Sequence, residues 1–288
     1  MLYFLLFISV VTETLKNIFS NDFSKTRLNT LADAVIFNIV CCIGAILTFL
    51  ILGAQISISW YSLLLAVGFA VTTVGWLLFS LLAMASGPMS YSLLFTYLGM
   101  VIPTLFGIFC YNQSVSITQI IGFALMIITV YLGVDMKGDS KFSLKWFIYA
   151  IISFLMCGGL GIVQQVHQTS EYAYEINEFL LWGFIISIVL YGIIFIFTGK
   201  KDKKESMGLF QGKPLALGFV SGVFLGAVNF INLYLSGKLP SIIFFPIVNG
   251  GVLVLSSIAA IAVFKEKPDK RQMAGIIAGI LAVCLLGL

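Results

Sequence analysis

Long apolar segments separated by short polar connections occupy nearly all of the 288-residue chain. A helix that crosses the hydrocarbon core of a bilayer needs about 20 apolar residues. On that scale the sequence predicts ten membrane-spanning helices, with approximate limits 2–19, 31–53, 59–84, 88–110, 117–135, 145–166, 177–198, 214–235, 240–264 and 270–288. The segments lack the period-2 alternation of a membrane barrel, so helices are predicted rather than strands.

The composition agrees with an all-α integral membrane protein. The chain is 60% hydrophobic and 10% charged, with a mean hydropathy of +1.09, whereas a soluble domain keeps about 25% charged residues. The first segment lacks the basic start of a signal peptide, so we expect it to be an uncleaved helix. All five cysteines lie in apolar segments without a ligand cluster, so packing is predicted rather than disulfide or metal binding: Cys41, Cys42, Cys110, Cys157 and Cys284. No cofactor is expected.

Two stretches with the same capping pattern suggest an internal repeat. In each, an N-cap residue is followed three positions later by Gln, which is the spacing of a capping box, and then by Gly: Ser116-Ile-Thr-Gln119 with Gly122, and Asp269-Lys-Arg-Gln272 with Gly275. The alternative is chance identity in a sequence rich in Leu, Ile and Gly. The repeat divides the chain into halves of five helices each, residues 1–135 and 136–288.

An odd number of helices per half has a topological consequence. Two tandem halves of five helices must enter the membrane in opposite directions, which gives two inverted repeats. In secondary transporters built this way, the substrate site lies near the midplane between the repeats.

The charges are distributed unevenly over the connections between the predicted helices. The connections are numbered from the N-terminus, so that the first joins the first and second predicted helices. Odd-numbered connections hold 14 of the 16 Lys and Arg residues: Lys25, Arg27, Lys137, Lys141, Lys145, Lys200, Lys201, Lys203, Lys204, Lys213, Lys265, Lys267, Lys270 and Arg271. Even-numbered connections hold only Lys238, and Lys16 lies within the first helix. Cations collect on the cytoplasmic side, so the odd connections are predicted to be cytoplasmic and both termini extracytoplasmic. Short basic loops between apolar segments do not indicate nucleic-acid binding.

The stretch Gln164–Phe179 contains the only histidine and three acids, without any Lys or Arg. It forms an even-numbered connection, so its composition agrees with an extracytoplasmic position. The alternative is a gating or substrate-attracting role for Glu171, Glu175 and Glu178. His167 has no partner constellation in the sequence, so neither a catalytic nor a metal role is predicted for it.

The segment 86–134, which begins SGPMSYSLLFTYLGMVIPTLFG, resembles the fourth and fifth helices of EamA-type transporters in the drug/metabolite transporter superfamily. Pro103, Gln119 and Gly122 fit the pattern, and Gln113 stands where that family usually has glutamate. The second half keeps an acid there, Glu266. The resemblance implies small-solute transport by alternating access. Ten-helix members commonly have both termini cytoplasmic, and the charge distribution here predicts the reverse.

Two ionisable residues inside the first predicted helix are candidates for proton coupling. Glu13 and Lys16 are three positions apart and lie on one face. In one interpretation Glu13 faces a cavity and exchanges protons beside Lys16, because ionisable groups within spans are costly and usually functional. In the other, they form an interfacial pair that extends toward the cytoplasm.

Polar and aromatic residues within the predicted helices are the candidates for a substrate cavity: Thr72, Trp76, Tyr91, Thr96, Tyr97, Gln164, Asn229, Asn232 and Asn249. Interhelical hydrogen bonding is the alternative for the polar ones, and lipid contact for Trp76. Three further aromatic residues at predicted helix ends are expected to be interfacial anchors: Trp60, Tyr61 and Trp146.

Glycines at four-residue spacing predict close helix packing rather than a hinge: Gly218, Gly222 and Gly226. Gly275 and Gly279 have the same spacing and suit either packing or a homodimer contact.

Together these features predict a multi-pass secondary transporter in the cell membrane. It exports a small organic metabolite or drug-like solute by alternating access around a central cavity. The sparse charge within the spans favours a neutral, zwitterionic or amphipathic solute, and proton coupling requires Glu13. The expected partners are the lipid bilayer, the solute and a second copy of the chain. The alternatives are a non-transporting scaffold and an intramembrane enzyme, although the sequence lacks the paired acids or dyads that an enzyme needs.

Overall fold

The structure is a computed structural model that describes residues 2–112, 115–133, 144–199, 204, 206–266 and 269–286. Within these ranges the chain is helical and contains no strand. The helices are α1 (Leu2–Thr26), α2 (Leu31–Ile51), α3 (Trp60–Ser86), α4 (Met89–Leu98), α5 (Val101–Tyr111), α6 (Ile117–Gly133), α7 (Leu144–Gln168), α8 (Ile176–Ile196), α9 (Gly212–Ser236), α10 (Ser241–Ala262) and α11 (Lys270–Leu286), with a 3₁₀ turn at Met207–Phe210.

Eight helical stretches among the described residues are long and apolar enough to cross a membrane. They are α1, α2, α3, α7, α8, α9 and α10, together with Tyr91–Tyr111, which runs through α4 and α5. The prediction of a multi-pass helical membrane protein is therefore confirmed. The other two helices, α6 and α11, have 17 residues each, which is about 25 Å at 1.5 Å per residue. The count of ten spans remains a prediction.

The fourth predicted span is present as Tyr91–Tyr111, and within it the chain is divided into α4 and α5. Pro103 has no N–H to donate to the carbonyl of Gly99, and its ring would clash with that carbonyl in a regular helix. The chain instead makes tight turns, in which Gly99 N donates to Thr96 O at 3.0 Å. A Cβ on Gly99 would lie 2.5 Å from the carbonyl oxygen of Phe154, so the break packs directly on the backbone of α7.

The first helix continues to Thr26, seven residues beyond the predicted limit. Its last turns are polar, so hydropathy alone ends the segment too early. These polar side chains are buried by neighbouring helices: the hydroxyls of Ser20 and Ser221 lie 3.2 Å apart. The ring of Phe23 stacks on that of Phe37, with centroids 4.1 Å apart. Contacts with α2 and α9 therefore stabilise the last turns of α1, which are too polar to be predicted from hydropathy as part of a membrane span.

The glycine stripe of α9 packs against α2, as the sequence predicted. A Cβ on Gly222 would lie 2.2 Å from the carbonyl oxygen of Cys41, and a Cβ on Gly44 would lie 2.6 Å from that of Phe219. The two backbones are therefore in direct contact. In α11, a Cβ on Gly279 would lie 3.2 Å from Thr129 Cγ2 in α6. This glycine packs within the chain, and a homodimer remains a prediction.

The capping box at the start of α6 is confirmed. Gln119 N donates to Ser116 Oγ at 3.2 Å, and Ser116 N donates to Gln119 Oε1 at 2.9 Å. In the corresponding turn before α11, Met273 N donates to Asp269 O at 2.9 Å. The side chain of Gln272 and the whole of Gln113 lie outside the described residues.

Several contacts join the connections on one side of the molecule, which we call the cation-rich face (residues 22–30, 86–89, 204, 206–213, 263–266 and 269–270). Lys25 Nζ donates to Gly87 O, and Met89 N donates to Glu266 Oε1 at 2.9 Å. Lys213 Nζ lies 3.1 Å from Asp22 Oδ2. The predicted grouping of odd-numbered connections on one face is therefore present in these contacts.

The opposite side, which we call the acidic face (residues 52–59, 111–112, 115–116, 169–175 and 237–240), carries the acidic stretch. Ser59 Oγ and N donate to the two carboxylate oxygens of Glu175 at 2.7 and 3.1 Å. Gln55 N donates to Glu178 Oε1 at 3.0 Å. Partial burial raises the pKa of the Glu175 carboxyl, but hydrogen bonds from Ser62 and Ser59 outweigh it, so the net pKa lies below the ordinary value. These two acids fasten the connection between α2 and α3.

Trp146 is not an interfacial anchor, and its prediction is corrected. Its side chain is 2% exposed, and Nε1 donates to Ser92 Oγ at 3.0 Å. It lies beneath α4, with its ring edge against Phe95 at 5.4 Å. Trp60, in contrast, is 86% exposed, as an anchor requires. Position near the end of an apolar segment does not separate these two cases.

Candidate substrate cavity

A central cavity lies between α1, α3, α4, α5, α7, α9 and α10, with about 550 Å³ of empty space that includes its opening to solvent. Its polar lining comes from one acid, one phenol and four amides: Glu13, Tyr97, Gln164, Asn229, Asn232 and Asn249. Its apolar lining includes Trp76, Phe244 and Phe245. A mostly apolar chamber with a few convergent polar groups is the usual form of a small-molecule site.

Seven of the sequence-predicted residues meet at this cavity: Glu13, Trp76, Tyr97, Gln164, Asn229, Asn232 and Asn249. Lys16 lies directly behind it. Their role in binding remains a prediction.

Three predicted residues do not line this cavity, and a role for them in substrate binding stays a prediction. Thr96 donates to Ser92 O at 2.9 Å and shares a hydrogen bond with Ser153 Oγ at 2.8 Å, which joins α4 to α7. Thr72 donates to the Gly68 and Phe69 carbonyls within its own helix. Tyr91 is buried in an apolar cluster with Leu94, Leu98 and Trp146.

A buried ion pair closes the cavity on the side of the cation-rich face. Lys16 Nζ lies 2.6 Å from Glu13 Oε1, and the two residues are 5% and 3% exposed. The interpretation as an interfacial pair is therefore wrong. Lys16 Nζ also lies 4.3 Å from the centroid of the Trp76 ring, a cation–π contact that further compensates the buried charge.

Tyr97 and Asn17 connect the ion pair to other helices. Tyr97 Oη donates to Glu13 Oε1 at 2.7 Å and accepts from Asn17 Nδ2 at 2.8 Å. Asn17 Nδ2 also lies 3.4 Å from Ser256 Oγ of α10. The network therefore links α1 to both halves of the chain.

The second oxygen of Glu13 is available to the cavity. Oε2 is buried and has no hydrogen-bond partner among the described residues. Since Oε1 already accepts from Lys16 and Tyr97, Oε2 is the group that remains free to accept from a solute or a water molecule. Leaving a buried acceptor unsatisfied costs about 1–3 kcal/mol, so this position favours a ligand with a donor.

Three of the cavity amides are held in place by hydrogen bonds. Gln164 Nε2 donates to Asn229 Oδ1 at 3.3 Å, and Asn229 Nδ2 donates to Leu225 O at 2.9 Å. Ser9 Oγ donates to Asn232 Oδ1. These contacts connect α7 to α9 and α1 to α9, so the polar groups lie at the junction between the two halves.

Sequence reasoning missed several residues of the site, and one signal would have found some of them. Ser9, Glu13 and Asn17 recur at four-residue spacing, which places them on one face of a helix. A polar stripe of this kind in an apolar segment indicates a buried polar neighbour. Phe244, Phe245 and Cys157 carry no comparable signal, because apolar residues occur throughout every span.

A second cavity, with about 320 Å³ of empty space that includes its opening to solvent, lies on the other side of the ion pair between α1, α2, α3 and α9. Lys16 and Asn17 line it, and Met84 and Ser20 place it toward the cation-rich face. The central cavity extends toward the acidic face, since Gln164 lies near the end of α7 on that side. The Glu13–Lys16 network is therefore the partition between two chambers.

The described residues contain no group of His, Cys, Asp and Glu side chains that could hold a metal ion. His167 is buried, with its ring stacked on Phe179 at 4.1 Å and Nε2 3.2 Å from Ser62 Oγ. It contributes to the packing of the acidic face.

A bundle of apolar spans around a mostly apolar chamber with a few polar groups defines a multi-pass membrane protein. The sequence model of the EamA-like transporter family matches residues 144–288, half of the chain. The chain belongs to this family, which is part of the drug/metabolite transporter superfamily and consists of transporters rather than enzymes.

No curated protein matches the chain. Among solved structures, the chain is similar to one described only as "Crystal structure of protein", with a TM-score of 0.65 and 12% sequence identity. The alignment covers 98% of this chain and 94% of that chain. At this identity the similarity indicates a shared fold.

The buried ion pair makes stability sensitive to removal of one charge. Lys16→Met leaves the Glu13 carboxylate unpaired in a low-dielectric interior, and we expect a loss of about 3–5 kcal/mol in the free energy of unfolding. Glu13→Gln/Lys16→Met removes both charges and is expected to recover most of that loss. Thermal unfolding of the purified variants in detergent measures both effects. A Lys16→Met protein as stable as the parent would contradict the paired assignment.

Proposed function

We propose that the chain is a secondary carrier that exports a small organic solute through the central cavity by alternating access. The observation that carries the proposal is the chamber at the junction of the helices, with the free Glu13 Oε2 and the amides of Asn232 and Asn249 in its lining. Membership of the EamA-like transporter family agrees with it. The solute is a neutral, zwitterionic or amphipathic metabolite or drug-like molecule, because the buried ion pair has no net charge.

The proposed architecture is ten spans in two inverted five-helix repeats, residues 1–135 and 136–288. The helix contacts support it, since each has a counterpart in the other half. α1 packs on α9 as α7 packs on α3, and α2 packs on α9 as α8 packs on α3. α1 contacts α10 as α7 contacts α4 and α5. Each contact becomes its counterpart when every helix is replaced by the helix at the same position in the other half.

In the proposed cycle, the Glu13–Lys16 network is the barrier that the solute must pass. It separates the central cavity, on the side of the acidic face, from the second cavity, on the side of the cation-rich face. Rocking of one repeat against the other opens one chamber at a time. Cations favour the cytoplasmic side, so we place the cation-rich face in the cytoplasm and the termini outside the cell membrane.

Glu13 is the proposed site of proton coupling. It is the acid in the lining of the central cavity, and the solute and a proton would compete for its free oxygen. Competition for one carboxylate couples solute transport to proton transport, because the solute and the proton cannot occupy the site at the same time.

Removal of a cavity amide is expected to reduce export without affecting the fold. Asn249→Ala takes one hydrogen-bonding group from the chamber and is expected to lower solute accumulation in the medium roughly tenfold. Thr72→Val is the matched control, because that hydroxyl donates to its own helix and export should be unchanged. Untargeted mass spectrometry of medium and cell contents, at equal membrane levels, measures the effect. Equal metabolite pools with and without the parent chain would favour the scaffold.

The two native cavity cysteines report which chamber opens to which side. Cys157 lines the central cavity and Cys41 lines the second cavity. In single-cysteine variants, a membrane-impermeant thiol reagent should label Cys157 in intact cells and Cys41 in inverted vesicles. A variant with only Cys42, which is buried beside Cys41, should react from neither side. Labelling of both cavity cysteines from the same side would contradict the alternating-access scheme.

Proton coupling is tested with a charge-neutral pair of substitutions. Glu13→Gln/Lys16→Met leaves no unpaired buried charge, so it separates coupling from stability. Once the solute is identified, a pH gradient across proteoliposomes should accelerate its transport by the parent and not by this variant, while solute exchange without a gradient persists in both. Gradient-driven transport by the variant at the parent rate would exclude Glu13 as the coupling site.

A further inference from the structure

The second cavity has a lining that differs in chemistry from that of the central cavity. Its described polar residues are Lys16, Asn17, Ser20, Asn38, Ser80 and Ser221, and Cys41 contributes a thiol. No carboxylate is among these lining residues. The central cavity carries the acid of the ion pair, and this cavity carries the base.

Lys16 has hydrogen-bonding capacity beyond its contact with Glu13. An ammonium group has three N–H donors, and Nζ makes one hydrogen bond to a carboxylate, that to Glu13 Oε1. Glu13 compensates the charge of Lys16, so Lys16 offers the second cavity, which its side chain lines, the remaining N–H donors of its ammonium group.

Asn38 supplies a donor that is unused among the described residues. Its side chain is 2% exposed, and Nδ2 has no hydrogen-bond partner among the described residues. The hydroxyls of Ser20 and Ser221, 3.2 Å apart, lie in the same lining. A buried donor without an acceptor is costly, so the cavity favours an occupant that accepts hydrogen bonds.

The rest of the lining strengthens that preference. Leu77, Leu81, Met84 and Leu225 enclose the cavity and limit access of bulk water. Electrostatic attraction is stronger in such a low-dielectric environment. A cationic group bound beside Glu13 in the central cavity would balance an anion bound beside Lys16 in the second cavity. The buried network would then stay neutral, which would favour occupancy of the second cavity further.

We propose that the second cavity is a binding site for one small monoanionic group, either a halide ion or the carboxylate of an organic solute, held by Lys16, Asn38 and the serine hydroxyls. The site does not depend on the transport function proposed above, since its occupancy can be measured on the purified protein without a gradient. The proposal of transport and the proposal of anion binding can therefore be contradicted independently of each other.

The probes are sodium chloride and sodium formate, added to purified protein in detergent and balanced with sodium gluconate, which is too bulky for the cavity. A ligand that binds the native state raises the unfolding temperature in a saturable way. We expect this from the parent. Asn38→Leu removes the free donor and should weaken the apparent affinity roughly tenfold or more.

Asn21→Leu is the matched control. Asn21 is also buried in a helix and its Nδ2 also lacks a partner among the described residues, but it does not line the second cavity. Its substitution should leave the apparent anion affinity unchanged. Ser221→Ala removes one hydroxyl from the lining and should weaken binding too, which keeps the test available if Asn38→Leu does not fold.

Equilibrium binding of radiolabelled chloride and formate to the parent gives a second readout. Saturable binding of both supports a general monoanion site, and binding of formate alone supports a site for a solute carboxylate. If neither anion binds, or if Asn38→Leu and Ser221→Ala both bind as tightly as the parent, the proposal is overturned and the cavity holds water.

Discussion

The arrangement of the interior depends on one constraint, which is that a charge buried among apolar helices must be compensated. Glu13 and Lys16 satisfy it by pairing within α1, and the pair then recruits neighbours: the Tyr97 hydroxyl donates to the carboxylate, and the Trp76 ring lies beneath the ammonium. Those residues belong to α4 and α3. Because Asn17 extends the network toward α10, compensation of a single charge pair brings helices from both halves to one level. The side chains of this network fill the interior between the helices, and they thereby separate the two chambers.

The difference between hydroxyl and amide side chains explains which polar residues line the cavity. A hydroxyl within a helix can donate to the carbonyl four residues earlier, as Thr14 does to Val10 O at 2.8 Å and Thr104 to Met100 O at 2.8 Å. Thr72 is satisfied in this way and lies outside the cavity. An Asn or Gln amide has two N–H groups and a carbonyl, which one backbone carbonyl cannot satisfy. Amides therefore gather, and Gln164, Asn229, Asn232 and Asn249 meet at the chamber.

Much of the fold follows from segment length, and the departures have local causes. The polar end of α1 was missed because hydropathy does not register that Ser20 and Phe23 are covered by other helices. The break before α5 was readable from Pro103, whose missing N–H acts on a carbonyl four residues earlier. The burial of Trp146 was not readable, since it depends on the path of α4 above it. For the site, the residue types were predictable, but their convergence depends on crossings between helices that are distant in sequence.

The three-residue spacing of Glu13 and Lys16 gives the interior a direction. It separates the two residues by roughly 4.5 Å along the helix axis, at 1.5 Å per residue. Because α1 runs from the acidic face to the cation-rich face, the carboxylate reaches the central cavity and the ammonium reaches the second cavity. A solute with a net charge would have to leave an unpaired charge in the interior as it passed this level, and such a charge costs several kcal/mol. A solute without net charge avoids that cost. A solute with a hydrogen-bond donor at one end and an acceptor at the other has a further advantage. Its donor can replace Lys16 as the partner of Glu13, and its acceptor can replace Glu13 as the partner of Lys16.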